Sequence, residues 1–393
     1  MKYLAACLGV AALLIVAAAI TGLGPFAGNN RNAFQLPGTP YFPNGYEWWW
    51  HSFVAYRRSD GAPRPFFIEY FVINPGLGGA EPVLSSSCRP PSYARMIAGT
   101  WGERHVVLQS TFPVADFAAS LRLMDVAIGA NRATNSELHG QVVGPPSPDG
   151  GPAERLAWDL KAEKVLSYDI GFLGGRFFQW LGAFDMLWHV PGMQTRYSGT
   201  VEWNDDVYDV DPARSSGYQD KNWGKDYTAP WYWLSCNSFT SRVTGKPLPL
   251  TSLDLGGGMP RAFGIPLGHD KLLIALYYKG VLHEWNFTHL LDLPREDVRI
   301  EQQPGRVSWQ VAAEDSTQRI EIDFTNPTSE MVQLVYENPR GLVPLSQLWN
   351  GGTASGTVRF YVNRAGRPNR WELVDSLEGT FGQGEFGIPA TSR

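Results

Sequence analysis

Glu47-Trp48-Trp49-Trp50-His51-Ser52-Phe53-Val54-Ala55-Tyr56 is followed, after the polar turn Ser59-Asp60-Gly61, by Phe66-Phe67-Ile68-Glu69-Tyr70-Phe71-Val72-Ile73. Aromatic and β-branched side chains lose rotamer freedom in a helix and pack well on a pleated surface. Two such runs about an Asp-Gly turn predict a β-hairpin. The same period of two recurs at Leu156 to Leu160, Tyr197 to Trp203, Leu272 to Tyr277, Val307 to Val311, Arg319 to Phe324 and Thr357 to Val362. In Arg319 to Phe324 charged and apolar residues alternate, which puts one face in water and the other in a core. With 42 glycines, 29 prolines and 13% aromatic residues, the chain reads as many short strands joined by turns, an all-β fold of barrels or sandwiches. One short helix is expected at Asp116 to Leu123, because Phe117, Leu121 and Met124 fall on one helical face.

A chain of 393 residues exceeds what one hydrophobic core usually serves, so two domains are expected. The reading is residues 1–25 as a leader, 26–45 as a linker or strap, 46–228 as a first domain and 229–393 as a second. The formal charge of -5 is small and the basic residues are scattered, which excludes a nucleic-acid surface. Leu4 to Gly24 is an unbroken apolar run behind Lys2, long enough for a membrane-crossing helix and acceptable as a secretory signal. Export is therefore expected, with the segment either cut near Ala17-Ala18-Ala19 or kept as an anchor. Cys7 precedes the apolar core instead of following it, which argues against a lipoprotein site. Cys88 and Cys236 are open to two readings, a disulfide or two buried thiols.

The polar centre of the chain is Tyr218-Gln219-Asp220-Lys221-Asn222-Trp223-Gly224, followed at once by Trp231-Tyr232-Trp233-Leu234-Ser235-Cys236-Asn237. A carboxyl group among so many rings is partly stripped of water, and desolvation favours its protonated form. Asp220 could then hold a proton near neutral pH. The plainer alternative is an Asp220–Lys221 ion pair, or turn hydrogen bonds that keep Asp220 acidic. His189, beside Trp188, could tune or relay that proton, or be a satisfied core group, and His51 is open to the same two readings. Glu47 and Glu69 need partners in aromatic surroundings, with Arg95 or Arg104 as candidates. The histidines lack metal-binding spacing, so neither a metal nor another cofactor is expected. Gly256-Gly257-Gly258 lacks the setting of a nucleotide loop and reads as a strand kink or as a place where a ligand approaches the backbone.

Several of these runs carry a resemblance. Tyr218 to Gly224, Trp231-Tyr232-Trp233 and Cys236-Asn237 resemble the corresponding run of tocopherol cyclases. Glu47-Trp48-Trp49-Trp50 is similar to the opening motif of a wider superfamily that includes carotenoid 1,2-hydratases, fungal Diels-Alderase-type cyclases and AttH-like secreted proteins of two lipocalin-like halves. Phe67 to Pro75, Trp101 to His105 and Gly199 to Trp203 add to it. The resemblance implies two lipocalin-like halves around an apolar pocket. It also implies protonation of an isoprenoid double bond, with the cation captured by a phenol oxygen or by water. Asp220 falls on the acidic position, as Asp in the hydratases and Glu in the cyclases. On this reading Asp220, His189 and Tyr218 are catalytic. Glu47, Trp48, Trp50, Trp188, Asn222, Trp223, Trp231 and Trp233 bind a hydrophobic small molecule, an isoprenoid or lipid. The rival reading is a non-catalytic carrier of an envelope lipid, with Asp220 fixing its polar head.

Overall fold

The computed structural model describes residues 44–390 apart from 86–88, 121–123, 147–150, 169–182, 267, 288–292 and 364–369. Its architecture is all-β, in two large antiparallel sheets. The first runs in the order Val106–Phe112, Tyr93–Thr100, Pro63–Ile73, Tyr46–Arg57, Asp206–Val210, Met186–Trp203, Arg155–Tyr168, Glu137–Val143, with three short strands beyond. Gly217–Gly224 lies beside this path, paired to both Tyr46–Arg57 and Met186–Trp203. The second sheet is built from Trp231 onward and centres on Ser252–Gly258, Trp231–Cys236, Glu372–Pro389 and Leu345–Val362. The chain crosses from one sheet to the other between Gly224 and Trp231.

Each sheet curls around its own apolar interior, and a third apolar cluster fills the space between the sheets. Trp49, Phe53, Ile68, Tyr70 and Trp158 belong to the first interior. Leu234, Leu255, Ile274, Trp309 and Phe324 belong to the second. Between them lie Trp48, Trp50, Phe67, Trp101, Trp188, Tyr218, Trp231 and Trp233. Strand alternation explains the division: neighbours along a strand point to opposite faces, so Trp48 and Trp50 face the second sheet while Trp49 turns into the first. Tyr46–Arg57 is buried on both faces almost throughout, which is why its sequence is a near-continuous aromatic run. The bulge between His189 and Gly192 bends the long Met186–Trp203 strand where it passes Gly217–Gly224.

The hairpin at Asp60-Gly61 is present, with Trp50 opposite Glu69 in its register. The helix expected at Asp116 to Leu123 is not. Val114–Asp116 is a single 3-10 turn and Phe117–Ala119 is a strand, pairing Phe117 with Ile128 and Ala119 with Val126. The sheet ladder overrides the helical spacing, and Phe117 packs against Trp49 at 6.0 Å between ring centroids. Leu121 lies outside the described residues, as do Cys88 and the apolar segment Leu4 to Gly24 expected as a helix. Cys236 is a free, buried thiol, and burial pushes it up to about 12. Among the described residues no helix is long and apolar enough to cross a membrane.

Candidate functional site

Gly217–Gly224 carries the site because it runs between two strands of the first sheet with one edge to each. Asp220 stands opposite Trp50, and Asn222 stands opposite both Trp48 and Trp188. Tyr218, Asp220 and Asn222 therefore share the face turned toward the second sheet, and Gln219, Lys221 and Trp223 share the other.

Asp220 is 4% exposed. Its Oδ2 accepts from Trp188 Nε1 at 2.8 Å and from Asn222 Nδ2 at 3.3 Å. Tyr218 Oη stands 3.3 Å from the same oxygen and 2.9 Å from Asp254 Oδ2 in the second sheet. Asp220 Oδ1 is buried and has no hydrogen-bond partner among the described residues. Burial raises the Asp220 carboxyl to about 8, and the neighbouring Glu385 adds to the rise, while the donors from Trp188, Tyr218 and Asn222 oppose it. At neutral pH the carboxyl is chiefly protonated, and with Oδ2 occupied by donors its hydrogen belongs on Oδ1.

Three further acids share this enclosure. Asp254 accepts from Trp233 Nε1 at 3.0 Å, and burial drives it well above the carboxylate range. Glu385 accepts from Trp231 Nε1 at 2.5 Å and from Asn350 Nδ2 at 2.7 Å, and burial raises it too. Asn350 is itself held by Trp101 Nε1 at 2.8 Å, so this chain of bonds joins the sheets. Glu69 accepts from Tyr336 Oη at 2.6 Å, and burial lifts it to about 8. The four acids are not grouped as a ligand set: among the described residues no three His, Cys, Asp or Glu side chains could hold a metal ion together.

The rings form the walls. Trp50 stacks on Phe67 at 5.0 Å and meets Trp233 edge-on at 6.3 Å. Trp48 stacks on Tyr46, Tyr227 and Tyr336. Gly256 lets the Trp188 indole lie against the backbone, since a Cβ there would come within 2.8 Å of the ring. Trp48, Trp188 and Trp231 keep 8%, 6% and 7% of their surface, against 0% for Trp49 on the opposite face.

Tyr218, Asp220, Asn222, Trp48, Trp50, Trp188, Trp231 and Trp233 are brought together as expected. Glu47, Trp223 and His189 are not. Glu47 lies opposite Trp223, and His189 opposite Lys221, on the face turned into the first sheet. There Lys221 pairs with Glu47 at 3.2 Å and sits 3.8 Å from the centroid of Trp49. Burial pulls Lys221 down to about 7, partly countered by Glu47. The Asp220–Lys221 pair is thus replaced by a Glu47–Lys221 pair, because adjacent strand residues point apart. His189 is directed away from Asp220 for the same reason. His51 also turns inward and bonds Tyr197 at 2.9 Å. Glu69 is held by Tyr336, not by Arg95 or Arg104.

Sequence reasoning missed Asp254, Glu385, Tyr336 and Asn350. Asp254 and Glu385 each interrupt an alternating run beside glycines, Asp254-Leu255-Gly256 and Gly384-Glu385-Phe386-Gly387. An acid on the small-residue face of a strand is the signal that was available. A separate cleft of about 560 Å³, lined by Phe112, Asn131, Gln141, Arg155 and Trp158, includes none of the site residues. Its rim carries the exposed Arg155–Glu202 pair.

Comparison with known proteins gives this geometry a context. The family described as tocopherol cyclase-like matches residues 95–369. The opening tryptophan run precedes the matched region. The chloroplastic tocopherol cyclase of Zea mays is 27% identical over 221 residues, 54% of this chain and 40% of that one. The match therefore spans well under half of the maize protein. The crystal structure of kievitone hydratase from Nectria haematococca aligns over 88% of this chain and 89% of that one, at 14% identity and a TM-score of 0.46. A Nitrosomonas europaea protein described as AttH aligns over 88% and 98%, at 14% identity and a TM-score of 0.45.

Proposed function

We propose, from the premise that this chain belongs to the tocopherol cyclase-like family, that it catalyses acid-promoted addition of an O–H group across an isoprenoid double bond. Asp220 is the proton donor. Its hydrogen goes to the less substituted alkene carbon and leaves a tertiary cation. A phenol oxygen of the same molecule then closes a ring, or water adds, and the hydrogen of that hydroxyl group is given up to a base. The single observation that carries this reading is the state of Asp220: Trp188 and Asn222 bind Oδ2, Oδ1 is buried without a partner among the described residues, and burial favours the protonated form.

Indole and phenol faces supply the rest. A desolvated ring face stabilises a cation by about 2 kcal/mol; Trp50 stands opposite Asp220 in register and packs with Trp233, which packs with Tyr218. Tyr218 and Asn222 orient Asp220, and Trp188 fixes which oxygen keeps the hydrogen. The reaction needs no redox change.

The test is incubation with a prenylated hydroquinone and with a linear polyisoprene, with products separated by mass spectrometry. The wild type should yield a ring-closed or hydrated product. Asp220→Asn should lose at least about 100-fold in turnover, the usual scale for a general acid, while ligand affinity is kept. Unchanged turnover in Asp220→Asn would overturn the reading. Tight binding without product in the wild type would support a carrier.

A further inference from the structure

Asp220, Trp50 and Glu69 form one rung across three adjacent strands. Trp50 is the register partner of Asp220 on one side and of Glu69 on the other. Paired strands lie about 4.8 Å apart, so the Asp220 and Glu69 backbones are separated by roughly 10 Å. Residues in one rung leave the same face of the sheet, so the two carboxyl groups flank the Trp50 indole.

The two groups are held alike. Tyr336, arriving from the second sheet's side, donates to Glu69 Oε2 at 2.6 Å. Glu69 Oε1 is buried without a partner among the described residues, as Asp220 Oδ1 is. A carboxyl that served only to fasten Tyr336 would need one oxygen. The second is buried at 0% exposure without a partner among the described residues, where an unmet acceptor is costly.

We propose that Glu69 is a catalytic base paired with Asp220 across the Trp50 ring, taking the hydrogen of the attacking hydroxyl group. The proposal rests on the reading of Asp220 as proton donor. Asp220 gives its hydrogen to the alkene and becomes a carboxylate. The hydroxyl oxygen of a phenol or of water bonds to the cationic carbon, and its hydrogen passes to Glu69 Oε1. The product has gained one C–H and one C–O bond, and the enzyme has moved one hydrogen from Asp220 to Glu69. Transfer back through water restores the starting state.

The surroundings support such a division of labour. Glu69 is faced by Tyr336, Glu385 and Asp220, with Arg95 acting only at a distance, and Asp220 by Trp188, Tyr218, Asn222, Glu385 and Asp254. Burial lifts both carboxyls to about 8, and charge on Asp220 further disfavours charge on Glu69. With both near 8, each carboxyl chiefly holds its own hydrogen at neutral pH, and the competent form, Asp220 protonated and Glu69 ionised, grows as pH rises toward 8.

Two measurements test this. In heavy water with the prenylated hydroquinone, Glu69→Gln, which preserves the acceptor for Tyr336, should lose at least 100-fold in product formation. It should still wash deuterium into the recovered alkene, because protonation by Asp220 and its reversal survive. Asp220→Asn should lose both. Product formation within threefold of wild type in Glu69→Gln, or loss of the wash-in together with product, would overturn the role of Glu69. A wild type that gives neither product nor wash-in would instead remove the Asp220 reading beneath it. Independently of any substrate, the Glu69 carboxyl band can be followed by infrared titration of the ligand-free protein. Asp220→Asn should move its midpoint down by at least half a pH unit, and an unmoved midpoint would refute the pairing.

Discussion

At the scale of single residues, the decisive fact is which way a side chain leaves its strand. Asp220 and Lys221 are adjacent in sequence, yet one faces the carboxyl cluster and the other the interior of the first sheet. The composition around Asp220 made a dry acid legible. Which cation met which anion was not legible, because Glu47 and Lys221 meet only through strand register. Removing one partner of a buried ion pair leaves the other uncompensated and costs about 3–5 kcal/mol. Lys221→Met should therefore lower unfolding stability in urea by that amount, and adding Glu47→Gln should restore a good part of it. Trp188→Phe makes a different prediction. It deletes a donor that opposes the rise of Asp220, so the carboxyl should climb further and the fall of activity at high pH should shift upward. A pH–rate profile of the variant checks the sign.

At the scale of elements, the strands were legible from their period of two, while the helical spacing at Asp116 to Leu123 misled. Phe117 satisfies a helical spacing and also a strand register against Ile128, and only packing against Trp49 decides between them. Asp254 and Glu385 escaped notice because each is a lone acid in an apolar strand, and the partner that explains it comes from a distant segment. Gly256 shows how an element sets the site from behind. Its missing Cβ leaves room for the Trp188 indole, whose N–H holds Asp220. Gly256→Ala should destabilise the fold by about 1–3 kcal/mol through overpacking. It should also impair the proposed reaction more than Lys221→Met does, measured at equal fractions of folded protein.

At the scale of the whole molecule, the two sheets share their largest aromatic surfaces with each other. A chain ending after Gly224 would expose Trp48, Trp50, Trp101 and Trp188 to water together. Residues 44–228 expressed alone should bind a hydrophobic dye and self-associate, as sedimentation would show. The carboxyl cluster gives the intact protein an inverted response to pH. Asp220 and Glu69 have folded-state values near 8, well above their unfolded ones, so the native state binds more hydrogens between about pH 4 and 8. Their contribution is greatest at the acidic end of that window and is lost as pH rises through 8. Asp220→Asn should flatten the decline of melting temperature from pH 5 to 8, at up to about 1.4 kcal/mol per pH unit for one group.

Tyr218 has a single hydroxyl hydrogen and stands between acids donated by different sheets, Asp220 from the first and Asp254 from the second. Whichever way that hydrogen turns, each half registers the ionisation of the other. A chimera that borrows its second half from a relative can thus keep both folds and still fall silent, unless positions 218 and 254 are inherited together.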